Sequence, residues 1–289
     1  MYGMMTQEEA LRKLQGIELE IMLSVGELCR ENDITWFMDS GTALGAMRHQ
    51  GFIPWDDDVD VGMLRPDYDR FVEAASRGMG GGCTLHTSGN THGFAPLFAK
   101  VFRDGTRFET LETREAGLEQ GIFVDVFPYD RLYVDPELLR RQISNASMAQ
   151  KRSYLYHAHS ITVPHRGALG TVERAGCLVA HGVEHLVVHD PADYQMRFNQ
   201  SIPNSEKGEV SDLCLSLAWP NMEPIKTGTL VPTATATFEG HDLPVPGATD
   251  EYLTFMYGDW RQIPAPEDRH THLPLLLDFG DGSVWKAGE

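Results

Sequence analysis

The sequence has few cysteines, and none of them is paired in a short motif. The four cysteines of the 289-residue chain, Cys29, Cys83, Cys177 and Cys214, stand far apart, and no two form a CxxC pair. This spacing argues against a zinc site built from cysteines and against a disulfide framework. It predicts reduced thiols in a cytoplasmic protein.

Basic residues are also scarce. Lys and Arg total 24 against 42 Asp and Glu, which gives a formal net charge of −18. A sequence-independent grip on nucleic acid needs many Lys and Arg side chains on phosphates, so we expect no nucleic-acid partner. In a protein this acidic, we expect a cation to bridge an anionic substrate to the carboxylates of the protein.

Long apolar runs are missing as well. The most apolar stretch, residues 175–188, is interrupted by His181, Glu184 and His185, and it is too short and too polar to cross a bilayer. The N-terminus lacks the basic start and apolar core of a signal peptide. We therefore expect a soluble, cytoplasmic protein without a transmembrane segment, which reaches any membrane-linked acceptor at the inner membrane surface.

Periodicity divides the chain into an α/β half and a more helical half. Thr6 and Glu9 form a capping-box signature before an amphipathic helix that extends to about Arg30. Strands are predicted at 34–40, 58–63, 83–88, 96–104 and 121–130, and helices at 136–160, 171–200 and 248–258. We predict a compact α/β unit over residues 1–130 and a largely helical elaboration over 131–289.

An acidic run, WDDDVD, covers the end of a turn and the start of the second of these strands. Side chains alternate faces along a strand, so Asp58 and Asp60 are expected to share one face. Oxygen ligands at this spacing suit Mg²⁺ or Mn²⁺. Asp56 and Asp57 precede the strand and are interpreted as supporting or solvated residues.

Two further stretches fit the same site. Asp125 stands alone in an apolar strand, where a buried carboxylate without a partner is costly, so a metal shared with Asp58 and Asp60 is favoured over a solvent-facing strand end. Gly41 and Thr42 lie at a strand-to-helix turn, and a helix N-terminus there would favour a phosphate. An EF-hand calcium loop is rejected, because that motif needs glycine directly after the third acidic ligand.

The segment MDSGTALGAMRHQGFIPWDDDVDVGMLRPDYDRF resembles the signature of the LicD family, to which fukutin and fukutin-related protein are distantly related. The similarity extends to FAKVFRDGTRF, to GIFVDVFPYD and to the C-terminal FEGHDLPVP, YLTFMYGDW and PAPEDRHTH. It covers about residues 6–130 and 237–272.

The resemblance implies a nucleotidyltransferase-like core of the DNA-polymerase-β type, with a mixed sheet and flanking helices. It also implies an enzyme that transfers a phospho-alcohol, such as phosphocholine, from a CDP-activated donor to a hydroxyl of a cell-surface glycan or glycolipid, with release of CMP. The family's two-metal carboxylates would fall on Asp58, Asp60 and Asp125, with two Mg²⁺ ions between them.

Other residues are assigned with alternatives. Arg48 and Lys100 are candidate phosphate contacts, with surface ion pairs as the equally good alternative. Trp55 is expected to anchor its loop to the core. His270 and His272 match a histidine-bearing segment of the family, for which substrate contact and a loop role are equally good. Residues 131–236 are expected to hold the acceptor specificity.

Rival functions remain open from the sequence. The same platform could transfer a CMP-activated phosphonate to a glycan, or a nucleotide monophosphate to a protein or small molecule. A glycosyltransferase of the DxD type fits poorly with the Gly41-Thr42 turn and with a third aspartate on another strand. A non-catalytic binding module is the remaining class. It predicts that Asp58→Ala leaves ligand binding and the cellular phenotype unchanged.

Overall fold

A computed structural model describes residues 5–160, 167–188, 190–204, 206–219, 222–269 and 271–288. The helices are α1 (Gln7–Glu31), α2 (Ser40–His49), α3 (Arg65–Ser76), α4 (Leu111–Ala116), α5 (Pro136–His157), α6 (Gly167–Val187), α7 (Ala192–Asn199), α8 (Thr227–Leu230) and α9 (Thr249–Tyr257). The strands are β1 (Phe37–Met38), β2 (Asp60–Leu64), β3 (Cys83–His86), β4 (Ala99–Arg103), β5 (Arg107–Glu109), β6 (Phe123–Tyr133), β7 (Val210–Leu215), β8 (Ile225–Lys226), β9 (Ala234–Phe238), β10 (His241–Val245), β11 (Leu276–Asp278) and β12 (Val284–Lys286).

A mixed sheet forms the centre of the described structure. Its strand order is β1-β2-β6-β4-β3, and β7 and β8 extend it from β6. Strands β2 and β6 are parallel, while β4 and β7 run antiparallel to β6. The prediction of a mixed sheet with flanking helices is confirmed at this level, and β6 is the strand that holds the sheet together.

Helix α1 begins as its sequence predicts. Glu9 N–H donates to Thr6 Oγ1 at 3.2 Å, and Thr6 N–H donates to Glu9 Oε2 at 2.7 Å, so both arms of the capping box are present. The apolar side of the helix packs into the core through Leu14, Ile21 and Val25. This helix covers one face of the sheet beside β4 and β6.

Two strand predictions need correction. The strand expected over 34–40 is confined to Phe37–Met38, because Asp39 already caps α2. The strand expected from Asp58 begins at Asp60. The preceding loop is bonded to other segments and not to the sheet. Gln15 Nε2 donates to Asp56 O at 2.9 Å, and Thr271 Oγ1 donates to Trp55 O at 2.8 Å. Asp58 therefore lies in the approach to the strand and not within it.

The second half of the chain contains strands as well as the expected helices. Helix α5 packs on both α6 and α7, and Phe198 of α7 and Ala146 of α5 belong to a second apolar cluster beside the main core. The strands β7 and β8 join the central sheet, and β6 itself runs through residue 130. The division of the chain after residue 130 stays a prediction. Along the described segments, every helix is too short or too polar to traverse a bilayer.

Candidate active site

A cavity of about 450 Å³ lies beside β2 and β6, and its polar wall is made almost entirely of carboxylates. The charged residues that line it are Asp39, Asp56, Asp58, Asp60, Asp125 and Lys100. The three aspartates predicted as metal ligands therefore meet in one cavity. Whether they bind a metal stays a prediction.

The sheet register explains how distant residues meet. Asp60 of β2 lies opposite Asp125 of β6 in the parallel ladder, and Lys100 of β4 lies opposite Asp125 on its other side. Residues directly opposite each other in neighbouring strands project from the same face of a sheet. Three strands that are separated by as many as 65 positions in sequence thus place the Asp125 carboxylate between the Asp60 carboxylate and the Lys100 ammonium.

The acidic run divides differently from its sequence interpretation. Asp56, interpreted as supporting or solvated, lines the cavity, and a Cβ on Gly41 would lie 2.9 Å from Asp56 Oδ2. Glycine at position 41 therefore gives the Asp56 carboxylate room against the start of α2. Asp57 points away, and its Oδ1 accepts a hydrogen bond from His272 N–H at 3.0 Å.

Asp39 is a member of the site that the sequence interpretation did not single out. It is 2% exposed and caps α2, because Ser40 N–H donates to its Oδ1 at 2.8 Å. The hydroxyl of Tyr129 donates to its Oδ2 at 2.9 Å, and the hydroxyl of Tyr252 donates to its Oδ1. The available signal was an aspartate immediately before a Ser-Gly-Thr helix start, which is a preferred N-cap residue.

Glu18 of α1 is a second missed residue. It is fully buried, and neither carboxylate oxygen has a hydrogen-bond partner among the described residues. Burial raises the pKa of Glu18 well above its ordinary value, and the charge of Asp58 raises it further. The signal was its position, because Glu18 lies between Leu14 and Ile21 on the apolar stripe of α1, where a charged residue is unexpected.

The residues predicted to bind phosphate differ in their placement. Lys100 lines the cavity, with Nζ 2.8 Å from Asp125 Oδ1 and 3.6 Å from the ring centre of Phe123. Gly41 also lines the cavity, whereas the buried Thr42 accepts a hydrogen bond from Asp60 N–H at 2.9 Å and so positions that strand end.

Arg48 points to the C-terminal segment. Its Nη1 donates to Gln262 O at 3.1 Å and to Trp260 O at 3.3 Å, and it lies outside the set of described residues that line the cavity. The charge of Asp56 nevertheless acts on Arg48, which places the guanidinium in the neighbourhood of the acidic loop. The structure thus gives Arg48 a clear role in holding residues 260–262.

Crowding changes the protonation of the cluster. Burial, followed by the charges of Asp58 and Asp57, raises the pKa of Asp56 to about 8. Burial, followed by the charges of Asp125 and Asp57, raises the pKa of Asp58 to about 6, although the Asp58 side chain is open to solvent at the cavity, which moderates the effect. Burial also raises the pKa of Asp60, so the carboxylates gain stability from any cation that joins them.

The donor set fits a hard divalent cation in its chemistry, because it consists of carboxylate oxygens. Asp125 Oδ1 is buried and, despite its ion pair with Lys100, has no directed hydrogen bond from any described residue. Within the described segments, however, no three His, Cys, Asp or Glu side chains already surround one metal position.

Most of the remaining lining, called the apolar wall below, is apolar or aromatic. It consists of Phe98, Phe127, Tyr154, Trp219, Met222, Met256 and Tyr257. Trp219 is 50% exposed and Tyr257 is 42% exposed, so both side chains keep a large solvent-accessible surface. A ligand in this cavity meets both negative charge and polarisable side chains.

Trp55 and Trp260 hold loops in place. The guanidinium of Arg269 lies 4.4 Å from the ring centre of Trp55, whose backbone is bound by Thr271, which agrees with the expected anchoring role. Trp260 is buried, and its Nε1–H donates to Asp250 Oδ1 at 3.2 Å. The prediction for His270 falls outside the described residues.

Comparisons with known proteins show which sequences this chain is similar to. Residues 33–167 match the model of a protein family described as LicD/FKTN/FKRP, nucleotidyltransferase domain. The lipopolysaccharide cholinephosphotransferase LicD of Haemophilus influenzae is 25% identical over 269 residues, which cover 91% of this chain and 95% of that protein. Uncharacterized proteins of Rickettsia typhi and Rickettsia prowazekii are 46% and 48% identical, over segments that cover 19% and 17% of this chain and 18% of each of those proteins.

Proposed function

Because the chain belongs to the LicD family, we propose that it transfers a phosphocholine-like phospho-alcohol from a CDP-activated donor to a hydroxyl of a cell-surface glycan or glycolipid. The observation that carries the proposal is the cavity itself, whose lining combines clustered carboxylates with aromatic and thioether side chains. The finer expectation for the fold, a nucleotidyltransferase core of the DNA-polymerase-β type, is part of the same proposal.

The carboxylate wall supports a phosphoryl-transfer site. We propose that Asp58, Asp60 and Asp125 hold one or two Mg²⁺ or Mn²⁺ ions, which would neutralise the donor diphosphate and stabilise the entering and leaving oxygens. The raised pKa values of Asp58 and Asp60 support this, because carboxylates that repel one another favour a shared cation.

The protein's own groups complete the site. Lys100 Nζ, already in the cavity, donates hydrogen bonds to a non-bridging oxygen of the diphosphate. Gly41, at the first turn of α2, offers its backbone to the phosphate without a side chain in the way. The acceptor oxygen forms a bond to the phosphorus that bears the alcohol, the bond from that phosphorus to CMP breaks, and a carboxylate oxygen of Asp58 takes the hydroxyl proton.

The apolar wall supports a quaternary ammonium on the transferred group. Trp219 and Tyr257 line the cavity with partly exposed side chains, and Met222 and Met256 line it as well. Aromatic faces attract a desolvated alkylammonium, and the carboxylates of the same cavity reinforce that attraction. A polyol such as ribitol would leave hydroxyl groups without partners against these side chains.

The acceptor and the setting follow from the same reasoning. The Haemophilus influenzae relative is named for lipopolysaccharide, so we propose a lipid-linked or polysaccharide acceptor for this chain. We propose that the reaction takes place in the cytoplasm at the inner membrane surface, and that residues 131–236 contact the acceptor.

A donor screen tests the proposal. The full chain is incubated with Mg²⁺ and a lipopolysaccharide or teichoic-acid acceptor, together with CDP-choline, CDP-ethanolamine, CDP-ribitol or CTP in separate reactions. We expect CMP and a choline-labelled acceptor from CDP-choline. Asp60→Asn should abolish both products, while Asp33→Asn, at an exposed residue with φ of 54° where Asn is equally suited, should leave them unchanged.

Two results would overturn the proposal. Pyrophosphate from CTP, with no CMP from any CDP-alcohol, would assign nucleotide transfer instead. Transfer by Asp60→Asn at the wild-type rate would show that this cavity is not the active site.

A further inference from the structure

Helix α6 presents its apolar side to solvent. At 100° per residue, about 120° of its circumference carries only Leu, Val, Ala and Gly over about 27 Å of helix length. The residues in this sector are Leu169, Val172, Ala175, Gly176, Val179, Val183, Leu186 and Val187. Val172 is 68% exposed, Val179 is 67% exposed and Leu186 is 80% exposed. These eight residues are called the α6 sector below.

Polar contacts fix the rotation of the helix. Glu184, on the opposite side, pairs with Arg152 of α5, with Arg152 Nε 2.7 Å from Glu184 Oε1, and it also accepts a hydrogen bond from the hydroxyl of Tyr194 at 2.7 Å. His181 Nδ1 lies 2.8 Å from Leu155 O. Turning the α6 sector inward would break these contacts and leave charged groups without partners. Its exposure is therefore a stable property of the fold.

The size of the α6 sector is that of a protein interface. Its large members expose between 50% and 80% of their surface. For two leucines and four valines this amounts to roughly 600 Å², the lower end of what each partner contributes to a standard-size interface. Monomeric proteins rarely leave a contiguous apolar patch of this size uncovered. Ala175 and Gly176 within it allow another backbone to approach closely.

We infer that the α6 sector is the contact through which two copies of this chain associate. A self-complementary patch on one helix pairs with itself around a two-fold axis, which sets the two α6 helices antiparallel with Val179 near the axis. A bilayer fits less well, because the sector holds no Lys, Arg, Trp or Tyr to anchor it, and because the chain carries a net charge of −18 against an anionic surface.

The oligomeric state tests the inference without reference to enzymatic activity. Sedimentation velocity and light scattering of the full chain, across a wide concentration range, should show a dimer. Val179→Glu and Leu186→Glu should each shift it to a monomer with an unchanged circular dichroism spectrum. Leu111→Glu is the matched control, since Leu111 is 44% exposed at the start of α4, where an acidic residue is favoured, and it should remain dimeric.

Cross-linking tests the orientation independently. With Val179 near the axis, Val179→Cys should form a disulfide-linked dimer under mild oxidation. Val172→Cys should link to Leu186→Cys in a mixed sample, because both lie seven residues from position 179, but should not link to itself.

Three results would overturn the inference: a monomer at every concentration, a dimer that survives both Glu substitutions, or flotation of the wild-type chain with phosphatidylcholine vesicles that Val179→Glu abolishes. The last result would identify the lipid surface as the occupant.

Discussion

The ammonium nitrogen of Lys100 lies 2.8 Å from Asp125 Oδ1, and both residues line the acidic cavity from neighbouring strands. Lys100 is the only cation among the described residues that line this cavity. In the proposed complex, Lys100 would exchange its partner. The ammonium would move from Asp125 to the donor diphosphate, and a metal ion would then occupy the position beside Asp125.

Replacing this cation tests its proposed contact with phosphate. Lys100→Met should weaken binding of CDP-choline about 10- to 100-fold, because a hydrogen bond to a charged group contributes about 1.5–3 kcal/mol. Isothermal titration calorimetry of the full chain measures the affinity. Lys151→Met, on the exposed side of α5, is the control and should bind like wild type. Equal affinity for Lys100→Met would place the phosphates elsewhere.

Removing one carboxylate should separate stability from activity. Asp60→Asn should lower the rate of CMP release at least about 10³-fold if Asp60 is a ligand, since the chemistry depends on charge placement. In EDTA the same variant should be more stable than wild type by about 1 kcal/mol, because folding raises the pKa of the Asp60 carboxyl at a cost in stability that asparagine does not have. Chemical denaturation gives the second number. A variant that is both inactive and less stable would indicate a purely structural role.

Divalent ions should stabilise the folded chain. Mg²⁺ or Mn²⁺ at about 100 times its dissociation constant should add about 2.7 kcal/mol of unfolding free energy, provided that it binds only the folded state. Thermal unfolding with and without the ion measures this without any substrate. The gain should vanish in Asp60→Asn and persist in Asp33→Asn. An equal gain in both variants would show that the ion acts away from the cavity.

The metal-free chain should lose stability as the pH rises. A carboxyl whose pKa is raised in the folded state binds its proton more tightly there, so the folded state is favoured at low pH and loses that advantage as the pH passes the raised value. The pKa values of Asp58 (about 6) and Asp56 (about 8) are raised from the ordinary value of 3.8, which places most of this loss between about pH 4 and about pH 8. Glu18, whose pKa is also raised, adds to it.

Glu18→Gln isolates one part of this dependence. In EDTA it should flatten the fall of the unfolding free energy with pH, because glutamine cannot ionise against the charges of Asp58 and Asp57. Denaturant titrations across that pH range measure the slope. A slope equal to that of wild type would show that Glu18 ionises as readily in the folded state as in the unfolded chain.

The apolar wall makes a prediction about donor choice. Tyr257→Leu and Trp219→Leu should each reduce kcat/KM for CDP-choline about 5- to 30-fold, since a desolvated cation–π contact contributes about 1–2 kcal/mol. They should change kcat/KM for CDP-ribitol much less. Phe255→Leu is the control, because Phe255 is 44% exposed on the same helix as Tyr257 and is not among the residues that line the cavity. An equal loss for both donors would argue against a cation site.

Local chemistry made part of the site predictable. The capping box of α1 and the lone Asp125 in an apolar strand are signals carried within a few residues, and the structure shows the predicted helix start and places Asp125 beside Asp60. The pairing of Asp60 with Asp125 depends on strand order, which periodicity does not encode. The general prediction of a shared cavity was nevertheless within reach, because buried carboxylates need partners.

The unpredicted part depends on contacts between distant segments. Asp56 enters the cavity because Gly41 leaves it room, and Asp57 turns away because the backbone of His272 binds it. Arg48 reaches Gln262, which lies 214 residues further along the chain. No pattern within the acidic run could show these contacts, since each is decided by which segment packs against the loop.

The strand β6 gives the molecule a mechanical property. The stretch that carries Asp125 bonds to β2 and β4, and the same strand continues to Tyr133, where it bonds to β7 from the second half of the chain. The two halves therefore share one set of backbone hydrogen bonds and form a single cooperative unit there. A ligand that stabilises the cavity at one end of β6 would therefore also slow the local unfolding of residues 210–215 at the other end. Ligand binding at one half of the chain would lower the rate of hydrogen exchange in the other half.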